Sequence, residues 1–183
     1  MMLVLTAQDV HSQQKYEKES RINQKNVPQD ALSFIHAVEL DGKVKWYLET
    51  GLKNKSIEAK FAFNQKKYSV EFDTTGVIQD VEIELRWEEI PTRVNDSICA
   101  QLRKLCSSYQ ISKVQIQYSG NKSDLLSFIK DQSPAERLTT NYELIVSCVN
   151  DKIRRRFEFL FNHSGQLIQS SEIIAKSSSN LEY

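Results

Sequence analysis

Four runs in the first half of the chain place hydrophobic residues at every second position. Val44, Trp46 and Leu48 alternate with Lys45, Tyr47 and Glu49, and Ile57, Ala59, Phe61 and Phe63 with Glu58 and Lys60. Tyr68, Val70 and Phe72 alternate with Ser69 and Glu71, and Val81, Ile83, Leu85 and Trp87 with Asp80, Glu82, Glu84 and Arg86. Period-two patterning of this kind predicts antiparallel strands with one buried face and one wet face. Ahead of the strands, Val27-Pro28 leads into a segment whose Ala31, Leu32, Ile35 and Val38 share one helical face. Proline suits the first turn of a helix, where its missing N–H has no intrahelical partner to lose.

The second half follows the same order. Ile90-Pro91 precedes a longer predicted helix, about residues 92–109, striped by Val94, Ile98, Leu102, Leu105 and Tyr109. Alternating runs return around Val114, Ile116 and Tyr118, then Tyr142, Leu144, Val146 and Cys148, then Phe157, Phe159 and Phe161. A last strand follows Gly165. The pattern predicts an α+β fold: a tandem duplication of a helix plus four-stranded antiparallel sheet unit, with the helices packed on one sheet face. The units run over residues 20–89 and 90–175. Only the second carries the polar segment 120–141, in which DLLSFI reads as a helical turn. Loops of that length are uncommon and are functional or disordered. Residues 176–183 read as a frayed tail.

The stretches FDTTG at 72–76 and FNHSG at 161–165 each join two strand-like runs, with their glycines 89 positions apart. Glycine supplies the positive φ of a tight turn without a Cβ penalty. Asp73 and Asn162 are side chains suited to hydrogen-bonding their own turn backbone. Turn chemistry explains both stretches, and neither needs a metal.

Composition changes the picture in three places. With 40% hydrophobic and 26% charged residues over 183 positions, the chain is that of a soluble globular protein. Lys plus Arg and Asp plus Glu number 24 each, so there is none of the basic excess of a nucleic-acid binder. The start, MMLVLTA, is far shorter than the about 20 apolar residues that span a bilayer. Residues 1–14 read as the remnant of a secretory signal beginning upstream, with cleavage near Ser12 to Gln14, which predicts a periplasmic or secreted protein without membrane insertion. Of the three cysteines, Cys99 and Cys106 stand about 10.5 Å apart along the predicted helix, at 1.5 Å per residue, too far for a disulfide. Buried free thiols are the default expectation, with a Cys106–Cys148 bridge as the alternative.

The Val-Pro and Ile-Pro helix starts, KWYLE, IEAKF, YSVEFDTTGVIQDVEIEL and NYELIV…RRRFEFLFNHSGQLI together resemble the PepSY-like domains, also described as beta-lactamase-inhibitor-like, of exported bacterial proteins. The resemblance spans roughly residues 20 to 175. It implies helices on antiparallel sheet in tandem, allows strands to be shared between halves, and places the protein outside the cytoplasm. It carries over no catalytic residues. The chain departs from the more familiar members in filling the turns with Thr74-Thr75 and His163-Ser164, and in the length of its insertion.

No phosphate loop, zinc-protease, nucleophile-elbow or C-x-x-C motif occurs. His11, His36 and His163 fall in the leader, a helix and a turn, away from the cysteines' core positions. Asp80, Glu82 and Glu84 share one strand face but lack a calcium-loop pattern. The sequence therefore predicts no enzyme, no metal and no cofactor. It predicts a non-catalytic envelope module binding an unknown protein or peptide through its wet sheet face: Tyr47, Glu49, Glu58, Glu71, Glu82, Glu84 and Arg86. Two alternatives stand beside it. One is an inhibitor or sensor of an exported enzyme acting through 120–141, and the other a small-ligand carrier on a cupped sheet face.

Overall fold

A computed structural model describes residues 12–15, 18–51, 54–131 and 137–174. In chain order the elements are β1 (Ser12–Lys15), β2 (Lys18–Ile22), α1 (Gln29–Val38), β3 (Lys45–Thr50), β4 (Lys55–Phe63), β5 (Lys66–Asp73) and β6 (Ile78–Glu84). Then come α2 (Thr92–Leu105), β7 (Ser108–Ser119), α3 (Lys122–Asp131), β8 (Thr139–Asn150), β9 (Ile153–Asn162) and β10 (Leu167–Ile173). All the strands join one sheet, in the order β1-β10-β9-β8-β7-β6-β5-β4-β3-β2. From β2 to β10 every neighbour is antiparallel, and β1 adds in parallel to β10.

This arrangement overturns the expected tandem duplication. β6 and β7 pair directly from Asp80↔Ser119 to Glu84↔Gln115, so the strands of both halves form one continuous sheet. The hydrophobic cores also ignore the expected boundary at residue 90. The first joins Ala31, Phe34, Ile35 and Val38 of α1 to β3–β6, and takes in Leu125, Phe128 and Ile129 of α3 from the second half. The second gathers Ile98 and Leu102 of α2 against Val114, Leu144, Val146, Phe159 and Phe161. The core of the first half is thus completed by a helix from the second. Alternation reports which residues share a face; it says nothing about which strand edges meet.

Segment 120–141 is corrected by the same observation. Its first half is α3, begun by Asn121, whose Oδ1 accepts from the Asp124 backbone N–H at 2.9 Å and from Ser123 Oγ at 2.7 Å. Leu125 and Ile129 are fully buried. Two element ends move as well. The second helix stops at Leu105, and Ser108 and Tyr109 open β7. The fourth strand stops at Glu84, after which Trp87–Glu89 form a 3₁₀ turn.

The expected free thiols are corrected too. Cys106, just past α2, and Cys148, on the apolar face of β8, form a disulfide with Cα atoms 5.3 Å apart. Only Cys99 is a free thiol among the described residues.

The two turns behave as their chemistry requires. Asp73 Oδ1 accepts from the backbone N–H of Thr75 and Val77, and Asn162 Oδ1 from those of Ser164 and Gln166, at 2.8–3.0 Å. Gly76 and Gly165 have φ of 95° and 77°. Each glycine also rests on the start of a helix. A Cβ on Gly76 would lie 2.9 Å from Pro28 Cβ, and one on Gly165 would lie 2.6 Å from the Val94 carbonyl oxygen. Positive φ and close approach thus both demand glycine.

One constraint shapes the whole sheet. β1 and β2 occupy opposite edges, yet Lys15 and Lys18 are only three residues apart. In a flat sheet nine spacings of roughly 4.8 Å would separate these edges by about 43 Å. Three residues reach at most about 11 Å. The sheet therefore curls until its edges approach. A ring of ten strands is roughly 15–20 Å across, too narrow for three helices of about 10 Å each. The helices lie outside, on the apolar face, and the polar face lines the inside of the curl.

Candidate functional site

Register decides which polar side chains meet inside the curl. Tyr47, Glu58, Glu71, Asp80 and Ser119 are successive cross-strand partners from β3 to β7. The next row runs Lys60, Ser69, Glu82, Gln117 and Asn141 from β4 to β8. A third joins Glu84, Gln115 and Glu143. Curling shields the centre of this face. Glu58 is only 7% exposed and Gln115 only 3%, although all three helices pack on the other side.

At the β2–β4 end, Glu19, Glu49 and Glu58 bring carboxylate oxygens within 4.8 Å of one another. Lys60 puts its ammonium among them, 2.8 Å from Glu58 Oε2 and 3.0 Å from Glu19 Oε2. The same ammonium lies 5.0 Å from the Tyr47 ring centroid, a cation–π contact. Burial works to lower the Lys60 pKa, but the ion pairs with Glu58 and Glu19 outweigh it and hold the lysine above its ordinary value. Lys60 thus offsets part of the charge of this acidic cluster from within.

The centre is different. Glu82 Oε2 accepts from Gln115 Nε2 at 2.8 Å, and Asp80 Oδ2 from Gln117 Nε2 at 3.5 Å. Gln117 Oε1 in turn accepts from Asn141 Nδ2 at 3.3 Å. Burial, and then the charge of Asp80, push Glu82 up to about 8, against the relief offered by Lys113. At neutral pH Glu82 keeps its proton. Gln115 Oε1 is buried without a hydrogen-bond partner among the described residues. The unpaired Gln115 amide oxygen at the centre of this polar face favours a donor brought in from outside.

Of the residues expected from sequence, Tyr47, Glu58 and Glu71 fall in one row and Glu82 and Glu84 in neighbouring rows. Glu49 joins the Lys60 end. Glu84 is exposed and ion-paired to Lys67 at 2.9 Å. Arg86 does not belong: it lies past the end of β6, where its backbone N–H and Nε both reach Glu89 Oε2, at 2.7 and 3.3 Å. Sequence reasoning missed Gln115, Gln117, Asn141 and Glu143, which complete the face from β7 and β8. Their signal was present, since Gln115 and Gln117 alternate with Val114, Ile116 and Tyr118. Joining them to Glu82 needed the β6–β7 pairing.

No protein-family model matches the chain, and no curated protein matches it. Solved structures do. The chain is similar to a DUF2874 family protein from Bacteroides ovatus, with TM-score 0.54, 12% identity, 85% of this chain and 94% of that one covered. It is similar to a candidate periplasmic protein from Bacteroides eggerthii, with TM-score 0.52, 13% identity and coverages of 85% and 94%. A BLIP-like protein from Bacteroides fragilis aligns at TM-score 0.49 and 14% identity, over 84% of this chain and 91% of that one. At such identities the likeness is one of fold alone, shared with these Bacteroides proteins.

Proposed function

We propose that this chain is a non-catalytic, PepSY-like binding module of the bacterial cell envelope, which recognises a protein or peptide through the polar inner face of its sheet. The single observation that carries this reading is the continuous run of half-buried polar side chains from Tyr47 across Glu71 and Glu82 to Asn141, on a face no described helix covers. Acceptors predominate there, so the matching partner segment is rich in donors, a basic or amide-bearing strand or loop. The Cys106–Cys148 disulfide supports an oxidising compartment, and the fold shared with a candidate periplasmic protein points the same way. Commitment of Leu125, Phe128 and Ile129 to the core weighs against 120–141 as a free contact loop.

Site-specific photo-crosslinking in intact envelopes tests the reading. A photoreactive residue in place of Tyr47 is expected to yield a discrete adduct that weakens as salt is raised, because exposed charge pairs are screened. The same residue in place of Val77, exposed beyond β5, is expected to yield none. Identical adducts from both positions would refute recognition by the inner face.

A further inference from the structure

A second concavity lies on the opposite side of the sheet and owes nothing to the inner face. Tyr68, Ile83, Ile116 and Tyr142 are successive partners across β5, β6, β7 and β8, on the apolar face. They floor a cavity of about 350 Å³ in the gap between the two hydrophobic cores. Phe128 of α3 walls one side, its ring 4.2 Å from that of Tyr118, and Pro91 ahead of α2 walls the other. Lys66 and Glu89 stand in its lining as the charged groups. The volume falls at the lower end of ligand sites, about 300–1,000 Å³.

Three phenols open into this space. Tyr68 and Tyr142 are 3% and 6% exposed, and no hydrogen bond to any described residue engages the hydroxyl of Tyr68, Tyr118 or Tyr142. None of the three is a fully buried hydroxyl left without a partner, so each can meet solvent or a bound molecule. Burial holds all three above the ordinary phenol range, and Tyr118 is pushed further by the nearby Tyr142 and Tyr68. Each therefore stays protonated and can donate. The ammonium of Lys66 adds a fourth donor. Glu89 sets one negative charge in the same lining: the Arg86 backbone N–H above all, and in smaller part the Lys66 ammonium, hold its carboxyl below the ordinary value.

From the donor set and the aromatic walls, we infer that this cavity is a binding site for a small aryl or similarly flat apolar monocarboxylate, with its ring over Ile83 and Ile116 and its carboxylate among the tyrosine hydroxyls and Lys66. A carboxylate is an acceptor-only group with room for several donors. A neutral alcohol of the same shape offers less to four donors.

Calorimetric titration with trans-cinnamate, set against cinnamyl alcohol, tests the inference on the full chain. Cinnamate is expected to bind wild type and to raise its melting temperature. The alcohol is expected to bind at least about tenfold more weakly, the scale of hydrogen bonds to a charged group. Tyr118→Phe/Tyr142→Phe keeps the rings and removes two donors, and about a tenfold loss of cinnamate affinity is expected with an unchanged circular dichroism spectrum. Lys66→Gln, at the surface, is expected to weaken cinnamate more than the alcohol. Tyr47→Ala, on the inner face, is expected to leave cinnamate binding unchanged, which separates this site from the partner surface. Absence of cinnamate binding, equal affinity for acid and alcohol, or full affinity in the double phenylalanine variant would each overturn the assignment.

Discussion

Glu82 shows how one side chain ties a polar face to the stability of the fold. Its ordinary value is 4.5, and its folded value is about 8 because burial and Asp80 disfavour the charge. Between those two pH values the unfolded chain has released the proton while the native chain keeps it. Stability from this group is therefore fully present below about 4.5 and falls as pH rises towards 8, by at most about 1.4 kcal/mol per pH unit. Glu82→Gln, which keeps the shape and cannot ionise, is expected to melt above wild type at pH 8, with the advantage shrinking towards pH 5. Melting curves across that range check it. A gap of constant size would mean that Glu82 titrates normally and that the inner face is wetter than its burial indicates. The alternation that put Glu82 on a wet face is correct in phase and silent about depth. A residue on the polar phase of a flat sheet is solvated, whereas the same residue inside a curl is not.

At the scale of elements, the hairpin turns were legible, while the Cys106–Cys148 disulfide was legible only as the alternative to free thiols. Asp73 with Gly76, and Asn162 with Gly165, carry their instructions within five residues, so local chemistry suffices to read them. Cys106 and Cys148 are 42 positions apart, and their meeting depends on where α2 stops and on how β8 lies beneath it. Reading the helix through to Tyr109 put Cys106 inside a helix, where a core thiol was the simpler expectation. The crosslink closes a loop large enough to matter. The chain-entropy relation gives about 4 kcal/mol for a loop of this size. Reduction, or the Cys106→Ala/Cys148→Ala pair, is expected to lower the unfolding free energy by about 2–4 kcal/mol, read from denaturant curves with and without reductant. Cys99→Ser is expected to leave the response to reductant intact. If reductant shifted the midpoint of the double-alanine variant as much as that of wild type, the stabilising bond would lie elsewhere.

The whole molecule is decided by pairings that no single run of residues records. Period-two patterning identified most of the strands and their inner and outer faces, but the order helix-then-strands was mistaken for two independent units. What the pattern lacked was the β6–β7 pairing and the return of α3 onto α1, both of which cross the midpoint of the chain. The curl follows from such long-range facts. Ile173 pairs with Lys15, and Lys18 with Thr50, and Lys15 and Lys18 are three residues apart. With about 5 Å across each pair and at most about 11 Å along the chain, Ile173 and Thr50 lie within roughly 21 Å. In a flat sheet the seven spacings from β10 to β3 would hold them about 34 Å apart. Spin labels on Thr50→Cys and Ile174→Cys, in a Cys99→Ser background, distinguish the two by pulsed dipolar spectroscopy. A distance distribution centred near 20 Å is expected, allowing for the length of the labels. A peak beyond 30 Å would mean that the edges stay apart, that the inner face is an open surface, and that the raised pKa of Glu82 has lost its physical cause.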